Sequence, residues 1–225
     1  MISFLTLTYK REDLLEECIY SFLSQENNEK NELLIINDNP VVDYKLNISN
    51  IKILNIKERF KSISEKLKFG FDNSKYNYIY RLDDDDLLSE NIVNYIEESI
   101  NNNKGFDIYR SKSTYFFVNN INKGLTSNVN NGNIYSKQYI NKIKFPYSSF
   151  GEDFDITFKF NAKIFEFNKP TMIYRWGMNT CHISGFGNNT NEFILNEADK
   201  ILNNKNKGEF TLKPKFNFDY YSLIM

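Results

Sequence analysis

The chain has one histidine, one tryptophan, two cysteines, four prolines and nine glycines in 225 residues, and alanine only at Ala162 and Ala198. A single histidine rules out HExxH zinc chemistry, and no GxSxG nucleophile elbow occurs. Cys18 and Cys181 lack CxxC spacing and cannot build a disulfide framework for a chain of this size, and Cys18, set among apolar helix positions, reads as buried packing. No GxxxxGK phosphate loop is present. Gly185 and Gly187 are followed by Thr190 where a dinucleotide fingerprint needs its third glycine, which disfavours kinases, ATPases and dehydrogenases. No apolar run approaches the length of a membrane span, and no charged segment leads into an apolar one as in an export signal. Charge of one sign is missing as well. Lys plus Arg number 28 against 29 Asp plus Glu, which argues against a nucleic-acid coat or a polybasic membrane binder. What is abundant is apolar and aromatic, 41% and 16%, so a packed, soluble, cytosolic protein is expected. The asparagine clusters, such as Asn101 to Asn103, read with the Ile, Lys, Phe and Tyr excess as drift in an AT-rich genome, bacterial or viral, and carry no chemistry.

The apolar pattern alternates short runs with helical periods. Ile2 to Leu7 reads as a buried strand, followed by a helix from Glu12 whose Leu14, Cys18, Phe22 and Leu15, Ile19, Leu23 recur every fourth residue. Leu33 to Ile36 forms a second strand, ended by Asn37, Asp38, Asn39 and Pro40. Ile51 to Ile56 is a third, leading to a helix with Phe60, Ile63 and Leu67, and Asn77 to Leu82 is a fourth, leading to a helix with Ile92, Val93, Ile96 and Ile100. Strands alternating with helices predict an α/β fold with a mainly parallel sheet covered on both faces. The second half is less regular, with aromatic strands over 106–118, helices from Ser136 and Gly151, and a helix with an aromatic tail after Asn191. The tail is expected to dock on its own domain. One continuous domain is the expected layout, with a first half over 1–105, a second half over 106–190 and a C-terminal helix and tail over 191–225.

The fourth strand runs into Asp83, Asp84, Asp85 and Asp86. In open α/β sheets ligands bind beyond the carboxyl ends of the strands, and Asp38 is expected at the same edge. Four adjacent carboxylates repel one another unless a cation neutralises part of their charge, and hard oxygen donors suit Mg²⁺ or Mn²⁺. The plainer alternative is a solvated acidic loop capping the next helix. An ion here would be well placed to receive a diphosphate. His182 is the only imidazole, and read on its own it is a partly buried histidine satisfied by backbone. Lys66, Lys68 and Arg81 could help balance phosphate charge but are read as solvated helix or strand-end charges, and Phe154 and Phe158 as core-facing positions of the helix that begins at Gly151.

Taken in order, these segments resemble the family-two glycosyltransferases, nucleotide-sugar enzymes of the GT-A fold. Leu7-Thr8-Tyr9-Lys10-Arg11 is similar to the family's Pro-Thr-Tyr-Asn-Arg strand end, and Glu32 to Asp38 to its Glu-Ile-Ile-Ile-Val-Asp-Asp segment. Tyr78 to Asp86 resembles the strand ending in the DXD motif, and Gly151-Glu152-Asp153-Phe154-Asp155 the Glu-Asp motif of the acceptor side. Leu7, Lys10 and Asn37 depart from the pattern, replacing proline, asparagine and aspartate.

The resemblance implies a GT-A fold, Rossmann-like with a small acceptor-side lobe, and an inverting transfer of sugar from a nucleotide-sugar, UDP-sugar favoured, to an acceptor hydroxyl. It implies donor contacts from Thr8, Tyr9, Arg11, Asp38, Asp83, Asp84, Arg175 and Trp176, and a Mn²⁺ or Mg²⁺ ion on Asp83 and Asp85, with His182 as a further ligand. Asp153 matches the general base, with Glu152 beside it touching acceptor or orienting the loop. The acceptor stays open between a glycan and, in a viral setting, a protein or a modified DNA base, the only role foreseen for nucleic acid; oligomeric state is open too. Competing readings are a non-catalytic nucleotide-sugar or calcium-binding module, and a nucleotidyltransferase of similar architecture, although the latter's glycine-rich loop after the first strand is absent from Thr8 to Arg11.

Overall fold

A computed structural model describes the chain except residues 128, 130, 178–181, 203–205 and 225, with backbone only at 183 and 184. The expectation for Cys181 lies outside the described residues. The order of elements is β1 (Ser3–Thr8), α1 (Glu12–Leu23), β2 (Glu32–Asn37), β3 (Val42–Lys45), β4 (Ile51–Asn55), α2 (Ile63–Asn73), β5 (Tyr78–Arg81), β6 (Leu87–Leu88) and α3 (Val93–Asn102). It continues with β7 (Ile108–Ser111), β8 (Thr114–Val118), β9 (Ile121–Thr126), β10 (Ile134–Ser136), α4 (Lys137–Ile140), α5 (Glu152–Phe158), β11 (Ile164–Phe167), β12 (Met172–Trp176), α6 (Asn191–Ile201) and β13 (Gly208–Thr211).

Seven strands form the central sheet in the order β11-β7-β10-β5-β1-β2-β4. All neighbours in it run parallel except β10, which is antiparallel to both β5 and β7. Successive residues of a strand point to opposite faces, and this one is buried on both. Leu33 and Ile35 of β2 enter the apolar cluster shared with Leu15, Cys18 and Phe22 of α1 and Ile96 of α3, while Leu34 and Ile36 enter the cluster shared with Leu67 and Phe71 of α2 and Ile156 of α5. Cys18 is fully buried as expected. Gly70 on α2 lets that helix approach β1 closely, since a Cβ there would lie 2.5 Å from Leu5 Cδ1.

A second sheet, β6-β12-β8-β9, stands beside the first, and β13 pairs with β3. The C-terminal tail packs on it through Phe216, Phe218 and Tyr220, alongside Leu87, Phe117 and Ile173. It is also tied to α1, where Glu16 accepts from Lys213 N at 2.7 Å and Glu17 from Asn217 N at 2.9 Å.

The four aspartates do not cap a helix. β6 intervenes before α3, and the first free amides at that helix, Ile92 N and Val93 N, donate to Gln25 Oε1 at 2.8 and 3.4 Å. Their place at the end of β5 therefore needs a reason other than capping.

Candidate active site

Parallel β1, β2 and β5 end on one edge, and the turns beyond them carry Thr8 to Arg11, Asp38 and the acidic run. Opposite, Gly151 adopts φ 69°, a left-handed conformation that turns the chain into α5 and presents Glu152 and Asp153. Between them lies a cleft of about 410 Å³. Thr8, Tyr9, Arg11, Asp38, Asp83, Asp85, Glu152, Asp153 and His182 all line it, whereas Asp84, Arg175 and Trp176 do not. Asn37 explains one departure from the family pattern. Its Nδ2 donates to Val42 O at 2.8 Å and Asn55 Oδ1 at 2.9 Å, which an aspartate could not do.

Within the acidic loop each carboxylate has a different partner. Arg11 reaches Asp84 with Nη2 at 2.5 Å and Asp85 with Nη1 at 2.8 Å, and Arg81 Nε donates to Asp83 at 3.0 Å. Asp84 is fully buried behind the wall, so it anchors Arg11 instead of meeting a donor. Asp86, which the sequence reading left without a role, accepts from the Arg175 backbone N at 3.0 Å and from Asn131 Nδ2 at 2.5 Å. Asp83, Asp85 and Asp86 offer one oxygen each within 4.8 Å of one another. Burial pushes the Asp84 carboxyl up to about 6 against the pull of Arg11. Burial, with Asp85 and Asp83 adding to it, holds Asp86 well above the usual carboxylate range. Hard oxygen donors crowded in this way fit a divalent cation, whose charge would relieve the repulsion.

Asp38 is buried beside Lys66, whose Nζ donates to Asp38 Oδ1 at 2.5 Å and to Thr8 O at 2.6 Å. Lys66 is thus a structural cation and not the solvated charge expected from sequence. Burial lowers its pKa, with Asp38 opposing. The other Asp38 oxygen accepts from Phe60 N at 3.2 Å.

Arg81 also departs from expectation. It is buried, with Nη1 3.0 Å from Glu152 Oε1 while Nε holds Asp83, so one guanidinium joins the two walls of the cleft. Burial pushes Glu152 up to about 7, Arg81 opposing and the charges of Asp153 and Asp83 adding. Asp153 is half-buried and accepts from Phe154 N at 2.8 Å. The expectation that Phe154 and Phe158 face the core fails. They are 51% and 43% exposed, because α5 is short and Ile156 and Thr157 supply its buried face.

Tyr9 is covered from the far side of the chain. Its hydroxyl donates to Asp199 at 2.5 Å, and the Arg59 guanidinium lies 3.8 Å from its ring centroid. Lys10, at φ 56°, pairs with the same Asp199 at 2.6 Å, and Leu195 and Ala198 of α6 complete the wall. The helix α6 was expected from the sequence but its place at the cleft, like that of Arg59, was not, since nothing in the sequence links positions so far apart. His182 stacks on Trp176 at 4.2 Å and 13°, and burial lowers its pKa while Asp85 opposes. Trp176 itself stands outside the cleft, its Nε1 donating to Tyr174 OH at 2.6 Å.

Arg175 is corrected from a donor contact to an internal brace. It is 1% exposed and donates to Glu17 and, at 3.0 Å, to Tyr220 OH, while its Nε donates to Asp85 O at 2.5 Å. The guanidinium thus supports the acidic loop from behind and does not reach the cleft.

With this geometry in view, comparison with known proteins is informative. The family model described as "Glycosyl transferase family 2" matches residues 3–160. Among solved structures, the chain is similar to S. aureus TarS 1-349 with 14% identity and a TM-score of 0.60 over 77% of this chain and 60% of that one. It is similar to S. aureus TarS at 16% and 0.62 over 77% and 36%, and to TarS 1-349 in complex with UDP-GlcNAc at 15% and 0.63 over 92% and 68%. At these identities the likeness concerns the fold, and the chain spans 60% of the first of these structures. No curated protein matches it.

Proposed function

The chain belongs to glycosyl transferase family 2, and from that premise we propose that it moves a sugar from a nucleotide-sugar, UDP-sugar favoured, to an acceptor hydroxyl with inversion, assisted by Mn²⁺ or Mg²⁺. The observation that supports this best is the meeting in one cleft of the sheet-edge carboxylates Asp83 and Asp85 with Glu152 and Asp153 from the opposite wall. The complex of TarS with UDP-GlcNAc favours a UDP donor by likeness of fold.

In this reading residues 1–105 receive the donor, with Thr8, Tyr9 and Asp38 at the nucleoside, and 106–190 receive the acceptor. Asp83, Asp85 and Asp86 would hold the cation, with His182 at the edge of the set. When bound, it supplies positive charge that stabilises the departing nucleoside diphosphate. Asp153 takes the proton of the acceptor hydroxyl as its oxygen bonds to the anomeric carbon and the sugar–phosphate bond breaks. A single displacement of this kind inverts the anomeric centre. Arg81 fixes Glu152 against the donor wall and so sets where Asp153 stands. No described helix is long and apolar enough to cross a membrane.

Thermal unfolding with UDP-, GDP-, TDP- and CMP-sugars and Mn²⁺ tests the reading. A UDP-sugar at a hundred times its Kd should stabilise the protein by about 2.7 kcal/mol, and EDTA or Asp85→Ala should abolish the shift. In Asp153→Asn the donor shift should survive while sugar transfer falls by about 10²–10⁴. No shift with any donor would refute the assignment.

A further inference from the structure

The acceptor side of the cleft carries a feature that donor binding does not use. Phe154 follows Asp153 directly, lines the same cleft and is still 51% exposed. Phe158, one turn on and 43% exposed, lies against it with ring centroids 5.0 Å apart. Two uncovered phenylalanines beside a reaction centre cost solvation energy that a surface without a ligand would not need to bear. Aromatic faces are electron-rich and flat, and the C–H face of a pyranose is apolar, weakly positive and equally flat.

Charge narrows the choice of ligand. An acceptor bearing phosphodiesters or carboxylates needs free cations, yet three of the four Arg and Lys side chains lining the cleft are paired with carboxylates, Arg11 with Asp84 and Asp85, Lys66 with Asp38, and Arg81 with Asp83 and Glu152, while Arg59 lies over the Tyr9 ring and donates to Leu195 O at 3.0 Å. Arg110, 5.4 Å from the Phe158 ring, faces Glu166 at 4.0 Å. Next to the phenylalanines stand Glu152, Asp153 and Asp155, together with Lys159, whose Nζ pairs with Asp155 at 2.7 Å. Resting on the glycosyl-transfer reading above, we infer that the acceptor is a neutral saccharide whose ring stacks on Phe154, with the Phe154–Phe158 pair as the platform that brings its hydroxyl to Asp153. Around the two rings a polyol phosphate or a nucleic acid would meet the carboxylates of Glu152, Asp153 and Asp155 against only Arg110 and an already paired Lys159.

Saturation-transfer NMR on the full chain tests this without turnover. The probes are cellobiose and N,N′-diacetylchitobiose as neutral saccharides, and a glycerol phosphate oligomer and a single-stranded oligonucleotide as anions. Each is measured with UDP and Mn²⁺ present and again without them. The neutral disaccharides should show ring-proton contacts and the anions none. Phe154→Ala should weaken the disaccharide about five- to tenfold and Phe154→Tyr should restore it. Because Phe154 is exposed, both variants should keep the wild-type melting temperature. A stronger response from either anion, no saccharide response at high millimolar concentration, or a response unchanged in Phe154→Ala would overturn the inference, the last pointing to a protein partner over the rings. Failure of the donor reading would show separately, as absence of the thermal shift with UDP-sugars.

Discussion

Glu152→Gln should change how the stability of this protein depends on pH. Glu152 is buried, and its carboxyl is pushed from an ordinary 4.5 up to about 7, mainly by burial. A carboxyl raised in the folded state keeps its proton there while the unfolded chain has already released it. Its contribution to stability is complete below pH 4.5 and is lost as pH rises through 7. Each pH unit between the two values costs about 1.4 kcal/mol, and rounding at the two ends of the titration leaves a loss of about 2 kcal/mol between pH 5 and pH 7. Glutamine does not titrate, so the variant escapes that loss while keeping the shape and an oxygen toward Arg81. Urea unfolding of both proteins at pH 5, 6 and 7 in EDTA gives the difference directly. The variant should gain on the wild type by about 2 kcal/mol across this window, whatever their offset at pH 5. Parallel curves, within about 0.5 kcal/mol, would mean that Glu152 titrates as an ordinary carboxyl, the pull of Arg81 cancelling the effect of burial, and would refute the argument.

Arg175→Met should destabilise the fold by about 3–5 kcal/mol, because it leaves Glu17 charged, buried and without its cation. Adding Glu17→Gln should recover part of that loss, and a cost below about 1 kcal/mol in chemical denaturation would contradict the brace. Gly70→Ala should destabilise by about 1–3 kcal/mol in the same assay, since the new methyl meets Leu5 and the strain exceeds the helix-propensity gain of about 1 kcal/mol.

How far the molecule could be read from its sequence varied with distance along the chain. β1, α1, β2 and β5 were legible because each carries its own period, and a parallel sheet buries both faces of its strands, leaving unbroken apolar runs. The acidic run at the end of β5 was legible for the same reason. β6, β9 and β10 were not foreseen: β6 and β10 have only two and three residues, and β9 is largely exposed and so carries no apolar run. α5 was foreseen but turned the wrong way. At seven residues its spacing of phenylalanines could not show which face was buried. Lys66, Arg81 and Arg175 were read as surface or ligand charges because a buried cation is recognised only by its carboxylate, and Asp38, Glu152 and Glu17 lie 28, 71 and 158 residues away.

The brace behind the acidic loop also bears on how the chain is made. Arg175 is held by Glu17 and by Tyr220, which are 203 residues apart. A ribosome adding about 5–20 residues per second needs on the order of 10–40 s to travel between them. Once Asp86 is made, the nascent chain carries Glu17 and all four aspartates, yet for the rest of that interval it lacks the hydroxyl that completes their support. The support of the loop is therefore completed only once Tyr220 has been translated, and the stage before that is where a chaperone or a protease would meet the protein.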